Sequence, residues 1–200
     1  TLYDIRKISR IFERVELKPE KLLQAYKSKL YSTGGPFIPA GTGNAVLEDD
    51  DDILEQHLTH WQDLNKLMRS VPLIAPIDHY NLSSRFGRRR DPMNKKWAVH
   101  QGLDLTANPR STIFASADGI VVFAGWKARY GRVIEIDHGF GIVTYYGHLR
   151  RISIKRGKRV KIGDKIGELG SSGRSTGPHV HYEIRVNKKA VDPLNFIKAG

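Results

Sequence analysis

The stretch Gly173-Arg-Ser-Thr-Gly-Pro-His179-Val-His181-Tyr-Glu183 places two histidines two residues apart at the start of a β-rich run. Side chains of a strand alternate between its faces, so both imidazoles should point to the same side of a sheet. Imidazole is a common zinc ligand. One of these histidines can therefore bind a metal while the other reaches a neighbouring water or substrate. The stretch predicts a site built on strands.

Two further motifs supply the same chemistry earlier in the chain. His100 and Asp104 flank Gly102 in His100-Gln-Gly-Leu-Asp104, where the glycine allows a bend that brings both side chains to one point. His148 follows in Tyr145-Tyr-Gly-His148-Leu. Catalytic zinc sites use three such ligands and keep one position open for water. Two histidines then remain for proton transfer and oxyanion stabilisation, so the three motifs together predict a hydrolytic metal site.

The residue pattern from Pro72 onward predicts a mainly β fold. Short β-rich runs, such as residues 119–124, 132–137 and 142–146, alternate with glycine-containing turns. Many short strands at this spacing are typical of a compact antiparallel domain. The sequence contains no His-Glu-x-x-His pattern, which argues against a metal site carried by one helix.

The N-terminal region is predicted to be helical. Helices are expected over residues 5–15, 19–30 and 53–68, and apolar residues recur at helical spacing in the first and third of these segments. Pro19 is well placed to open the second helix. Residues 34–47 contain closely spaced glycines and prolines and are predicted to form an extended connection. We therefore divide the chain into a helical region, residues 1–71, and a β domain, residues 72–200.

Charge and composition narrow the range of partners. Residues 1–70 carry 10 Lys and Arg against 11 Asp and Glu, whereas residues 71–200 carry 23 against 10. The basic half should attract a polyanion, either nucleic acid or an anionic cell-wall polymer. The alternative is that much of this charge is simply a solvated face. The sequence has no recognisable nucleic-acid module or aromatic stacking platform, which argues against nucleic acid. There are no cysteines, so a metal must be held by His and carboxylate.

A known family shares these motifs. From about Pro76 to Pro193 the sequence resembles the LytM/lysostaphin-type zinc endopeptidases, which cut peptidoglycan cross-links. The resemblance rests on Ser84-Arg-Phe-Gly-Arg-Arg-Arg-Asp-Pro92, on the motifs around His100 and His148, and most specifically on residues 173–183. It implies a compact antiparallel catalytic β domain of the duplicated hybrid motif type, here with an N-terminal helical appendage.

The resemblance also implies roles for individual residues. It assigns one Zn²⁺ per chain to three ligands: His100, Asp104 and His181. It makes His148 and His179 catalytic. Four further residues lie in or beside the histidine motifs and are expected to contact the substrate: Arg174, Tyr146, Ser175 and Thr176.

The expected function is hydrolysis of peptide cross-links in peptidoglycan. Relatives cut either D-alanyl–diaminopimelate links or glycine bridges. The helical appendage and the lack of a separate wall-targeting module within this chain favour a D,D-endopeptidase of a Gram-negative periplasm. The alternative is a non-catalytic LytM-type regulator that activates another wall hydrolase, and the intact set of five site residues weighs against it.

The N-terminal region and the chain ends carry expectations of their own. The N-terminal helices could dimerise, bind a regulator or restrain the active site, for instance if residues 34–40 lay across the basic groove. No apolar run reaches the roughly 18 residues of a membrane span. The chain starts at Thr1 rather than Met, which predicts a processed or truncated piece of an exported protein, compatible with an anchoring segment before Thr1.

Overall fold

Two helices with described bounds precede the β domain. The computed structural model describes residues 12, 13, 15, 17–31, 50–91 and 93–200. Helix α1 spans Pro19–Tyr31 and begins at the predicted proline, whose fixed φ suits a first helical position. Helix α2 spans Asp50–Ser70. The connection expected over residues 34–47 and most of the helix expected before Pro19 lie outside the described residues.

The β domain consists of short strands followed by one short helix. Their bounds are β1 (Asn81–Ser84), β2 (Gly87–Arg90), β3 (Trp97–His100), β4 (Leu103–Thr106), β5 (Thr112–Phe114), β6 (Gly119–Lys127), β7 (Gly131–Gly139), β8 (Ile142–Leu149), β9 (Arg151–Ile152), β10 (Arg159–Val160), β11 (Lys165–Glu168), β12 (Val180–Val186), β13 (Lys189–Val191) and α3 (Pro193–Ile197). Asp192 caps α3 by accepting the backbone N–H of Leu194 at 2.9 Å.

The strands form three antiparallel sheets within the described part of the chain. The largest has the order β1-β4-β12-β8-β7-β6-β10, with β13 beside β12. A second sheet has the order β5-β11-β9, and β2 and β3 form a separate hairpin. The mainly β, antiparallel architecture with a helical N-terminal part is therefore confirmed.

One apolar core joins the helical region to the β domain. Leu67 of α2 and Leu103 of β4 are fully buried in the same cluster. The rings of Tyr26 in α1 and Phe140 in the β7–β8 turn lie 4.6 Å apart. The described helices thus pack against the β domain, while the division at residues 71 and 72 stays a prediction. None of the described helices has the length and apolarity needed to span a membrane.

The centre of the large sheet positions the three motifs. In the ladder between β12 and β4, His181 lies opposite Asp104, and in the ladder between β12 and β8 it lies opposite Gly147. The bend at Gly102 passes very close to β12, because a Cβ at this position would lie 2.3 Å from the carbonyl oxygen of Tyr182. Only glycine fits this approach, so the spacing between His100 and Asp104 depends on it.

Candidate metal and catalytic site

Three side chains from three strands converge on one point. The Nε2 atom of His100 lies 3.0 Å from Oδ1 of Asp104 and 3.1 Å from Nδ1 of His181. The same Asp104 oxygen lies 2.8 Å from Nδ1 of His181. All three residues are buried. Two imidazole nitrogens that face each other and share one carboxylate oxygen are the donor set of a three-ligand zinc site, so these residues fit zinc.

The outer nitrogen of each ring in this group is already engaged. Nδ1 of His100 donates to the carbonyl oxygen of Arg85 at 2.8 Å, and Nε2 of His181 donates to Oε1 of Glu183 at 2.9 Å. A ring that carries its hydrogen on the outer nitrogen presents a lone pair on the inner one. Such partners fix the tautomer and the ring orientation of metal-binding histidines.

Glu183 contacts the candidate metal group, and the sequence analysis did not single it out. Its carboxylate also accepts hydrogen bonds from Tyr130 Oη at 2.8 Å and from Arg185 Nε at 2.8 Å. Burial would raise the pKa of Glu183, but the hydrogen bond from His181 and these neighbours hold it below its usual value. Its position two residues after His181 on a strand, and therefore on the same face, could have identified it.

The two oxygens of Asp104 have different partners. Oδ1 faces the histidines, whereas Oδ2 accepts from Nη2 of Arg89 at 3.3 Å. Burial would raise the pKa of Asp104, yet the hydrogen bonds from His100 and His181 lower it far below its usual range. Asp104 is therefore a carboxylate at neutral pH, as a zinc ligand must be.

The remaining two histidines of the motifs lie beside this group. The rings of His148 and His179 are 4.7 Å apart, and those of His148 and His181 are 5.9 Å apart. Nδ1 of His148 donates to the carbonyl oxygen of Ser172 at 2.8 Å, and Nδ1 of His179 donates to that of Gly177 at 2.8 Å. Each ring is thereby left with Nε2 for the cavity. Burial lowers the pKa of His148 to about 4, so this ring is neutral at pH 7.

His148 has an unusual backbone conformation for a strand residue. Its φ angle is +59°, and its backbone N–H donates to the carbonyl oxygen of Tyr130 at 2.7 Å. Positive φ is uncommon for residues other than glycine and interrupts the alternation of side chains along a strand. The interruption turns the His148 ring toward the site.

A cavity of about 330 Å³ contains the site. Its lining includes the five motif residues together with three of the expected substrate-contacting residues: Arg174, Ser175 and Thr176. Tyr146 is not among these lining residues, which contradicts the expectation that it contacts substrate. Tyr146 is fully buried and lies opposite Tyr182 on the core face of the sheet. Its hydroxyl is a hydrogen-bond partner of Thr144 Oγ1 at 2.8 Å.

Comparisons with known proteins match this chain to a peptidase family. A sequence model of peptidase family M23 matches residues 98–193. The DD-carboxypeptidase/endopeptidase Mpg of Neisseria meningitidis serogroup B is 43% identical over 122 residues, which are 61% of this chain and 28% of Mpg. The chain thus spans less than a third of the length of this curated relative.

Two solved structures have similar folds. A zinc-containing peptidase from Vibrio cholerae is 33% identical with a TM-score of 0.57, over 62% of this chain and 39% of that protein. The catalytic domain of lysostaphin from Staphylococcus simulans is 31% identical with a TM-score of 0.55, over 60% of this chain and 94% of that domain.

Proposed function

Because this chain belongs to peptidase family M23, we propose that it is a zinc-dependent endopeptidase that hydrolyses peptide cross-links of bacterial peptidoglycan. The observation that carries the proposal is the convergence of the five motif residues in one cavity, with every outer ring nitrogen already hydrogen-bonded. This arrangement leaves the inner nitrogens for a metal and for a substrate, as a hydrolase requires.

We assign the metal to the buried group. Nε2 of His100, Oδ1 of Asp104 and Nδ1 of His181 would hold one zinc ion. Bound there, zinc supplies a Lewis acid for the scissile carbonyl and lowers the pKa of water to about 7. Arg89 keeps the second oxygen of Asp104 occupied, which favours binding through one oxygen. Glu183 would hold the His181 ring in the orientation that points Nδ1 toward the metal.

His148 and His179 would handle the protons. In the neutral form each ring has its hydrogen on Nδ1, so Nε2 can accept a proton from the attacking water. Once protonated, the same atom can donate a hydrogen bond to the developing oxyanion or pass the proton to the leaving amine. Two imidazoles with rings 4.7 Å apart can share these duties across one scissile bond.

The proposed substrate bond is D-alanyl–diaminopimelate, and the proposed location is the bacterial cell envelope, more narrowly the periplasm. The name of the Neisseria relative supports a DD-peptidase activity. The cavity is also lined by three arginines, Arg89, Arg129 and Arg174, which suit the carboxylates of peptidoglycan peptide stems. Glycine bridges lack such carboxylates along their length.

Digestion of defined muropeptides tests the proposal. The zinc-loaded protein should cleave a D-alanyl–diaminopimelate dimer, with products identified by mass spectrometry, and should leave a glycine-bridged substrate intact. His148→Ala should lower kcat by roughly 10²–10⁴-fold while zinc stays bound, since one proton-transfer group is lost. If the wild-type protein cleaves neither substrate, the proposed activity is wrong. A regulator, by contrast, would keep its cellular role after His181→Ala.

A further inference from the structure

A salt bridge joins two elements that line the cavity. Arg174, in the loop before β12, donates from Nη2 to Oδ1 of Asp91 at 2.8 Å. Its Nε lies 3.1 Å from Sδ of Met93. Asp91 and Met93 belong to the turn of the β2–β3 hairpin, and all three residues line the cavity. The bridge therefore connects the hairpin to the loop that leads to His179.

Asp91 does not depend on Arg174 for its hydrogen bonds. Its Oδ1 also accepts the backbone N–H of Met93 at 2.9 Å and that of Asn94 at 3.2 Å. The backbone of Asp91 pairs with Lys96 and Lys95 across the same turn, at 2.8 and 2.9 Å. The carboxylate thus belongs to the turn and would keep two donors if the guanidinium left.

The backbone of Arg174 is held in place, but its guanidinium has few hydrogen-bond partners. Its backbone N–H donates to the carbonyl oxygen of Arg129 at 3.1 Å. The preceding Gly173 has a φ of +71° and packs so closely on Gly131 that a Cβ would lie 2.3 Å from its nitrogen. The guanidinium has five N–H groups, yet one carboxylate oxygen and one thioether sulfur, a weak acceptor, are its partners here.

In an ion pair of this kind, another carboxylate can easily replace the aspartate. The Arg174 side chain is 38% exposed, and exposed ion pairs contribute little to the stability of a folded protein. Arginine binds a carboxylate most strongly through two parallel hydrogen bonds, whereas Asp91 offers one. A ligand carboxylate that accepted two parallel hydrogen bonds along one edge of the guanidinium would therefore displace Asp91.

We propose that Arg174 is the receptor for a substrate carboxylate and that Asp91 occupies it until the substrate binds. The inference rests on the proposed function, because peptidoglycan stem peptides carry free carboxylates at diaminopimelate and at terminal D-alanine. It adds a specificity device to that function. The exchange of Asp91 for a ligand carboxylate selects peptides that present a carboxylate to Arg174.

Binding of an uncross-linked muropeptide tests this receptor without requiring cleavage. Calorimetry would compare the zinc-loaded protein with a muropeptide whose carboxylates are free and with the same muropeptide amidated at those positions. The wild-type protein should prefer the free carboxylates about tenfold. Arg174→Gln should remove this preference, and Arg174→Lys should restore part of it, because lysine keeps the charge without the two-pronged geometry.

Two other variants sharpen the test. Asp91→Asn keeps an oxygen for the backbone N–H groups of Met93 and Asn94 but loses the competing charge, so the free-carboxylate muropeptide should bind several-fold more tightly. Arg88→Gln is the matched control. It removes one positive charge from the same hairpin, but its guanidinium stacks on Trp97 at 4.7 Å from the ring centre. This variant should bind both muropeptides as the wild type does.

The outcomes separate the receptor from the proposed endopeptidase. Equal binding of both muropeptides by the wild-type protein overturns the receptor role. The role is also overturned if Arg174→Gln and Asp91→Asn both have a lower Tm and both bind the two muropeptides more weakly. That pattern would mean that the salt bridge only stabilises the fold. Cross-linked dimers are digested alongside. Carboxylate-dependent binding without cleavage supports the receptor and removes the endopeptidase, whereas cleavage with carboxylate-independent binding does the reverse.

Discussion

The central strands carry a core on one face and the candidate metal site on the other. On the core face, Tyr182 of β12 lies opposite Tyr146 of β8, and both side chains are fully buried. One residue earlier on β12, His181 lies opposite Asp104 of β4 on the site face. Adjacent residues of the same strand therefore point to opposite faces, one into the packed core and the next toward the candidate metal ligands. The packed face fixes ligand atoms whose mutual distances are about 3 Å.

The comparison predicts its largest effect for loss of a ligand on the site face. Asp104→Ala should reduce bound zinc from about one ion per chain to nearly none. The kcat/KM for the muropeptide dimer should fall by about 10³-fold or more, because a metal contributes several kcal/mol of transition-state stabilisation. Metal analysis and product quantification check this. A variant that kept its zinc and its activity would show that Asp104 is not a ligand.

A change on the core face should act on stability instead. Leu105 of β4 follows Asp104 and is fully buried. Leu105→Ala should lower the free energy of unfolding by about 2–5 kcal/mol, through lost burial and a residual cavity. Urea denaturation measures this. The folded, zinc-loaded variant should keep kcat within about twofold at low temperature, and a large loss of kcat at unchanged stability would contradict the separation of the two faces.

A buried histidine outside the site should make the stability of the fold depend on pH. His138 is buried, with its ring nitrogens 2.7 Å from the carbonyl oxygen of Asp118 and 2.7 Å from Thr144 Oγ1. Burial lowers its pKa to about 4. Because the unfolded chain binds the proton more tightly, this contribution to stability is complete above about pH 6.5 and is lost as pH falls toward 4.

The expected size of this effect is roughly 3 kcal/mol across that pH window. Urea unfolding at several pH values would measure it for the wild-type protein and for His138→Gln, which retains hydrogen-bonding groups but does not titrate. The profile of the variant should be flatter by this amount between pH 4 and 6.5. Identical slopes for the two proteins would mean that His138 is not held neutral in the fold.

The smallest effect is expected for the carboxylate behind a metal-binding ring. Glu183→Gln keeps an oxygen near Nε2 of His181 but removes the charge that orients the ring, so zinc affinity should fall by about tenfold. Competition with a chelator measures this. Glu168→Gln is the control. Glu168 forms an ion pair with Arg150, with an N–O distance of 3.2 Å, and does not line the cavity. Equal zinc affinity in the two variants would remove the role assigned to Glu183.

The sequence predicted what depends on local pattern. Pro19 marked the start of α1, and alternating short strands with glycine turns predicted the antiparallel β domain. The residue types around His100, His148 and His181 predicted a metal site, because few other arrangements of imidazole and carboxylate have a common chemical use. Strand ladders then place Asp104 opposite His181, and Gly147, the neighbour of His148, opposite the same histidine.

What the sequence did not predict depends on backbone detail and long-range contact. Tyr146 was expected beside His148, but the positive φ of His148 breaks the alternation and leaves the two side chains on different faces. The contact between Arg174 and Asp91 joins residues 83 positions apart in the chain. No periodicity encodes such a contact, since it arises only when a hairpin and a distant loop meet.

Three of the four imidazoles in the cavity are tethered through main-chain carbonyl oxygens, those of Arg85, Ser172 and Gly177. Amino-acid replacement cannot delete a peptide oxygen. Substitutions at Arg85, Ser172 and Gly177 therefore leave the orientation of those three rings unchanged, provided that the backbone keeps its path. The fourth ring, that of His181, relies on a side chain, so Glu183 is where a single codon change could misalign the histidines.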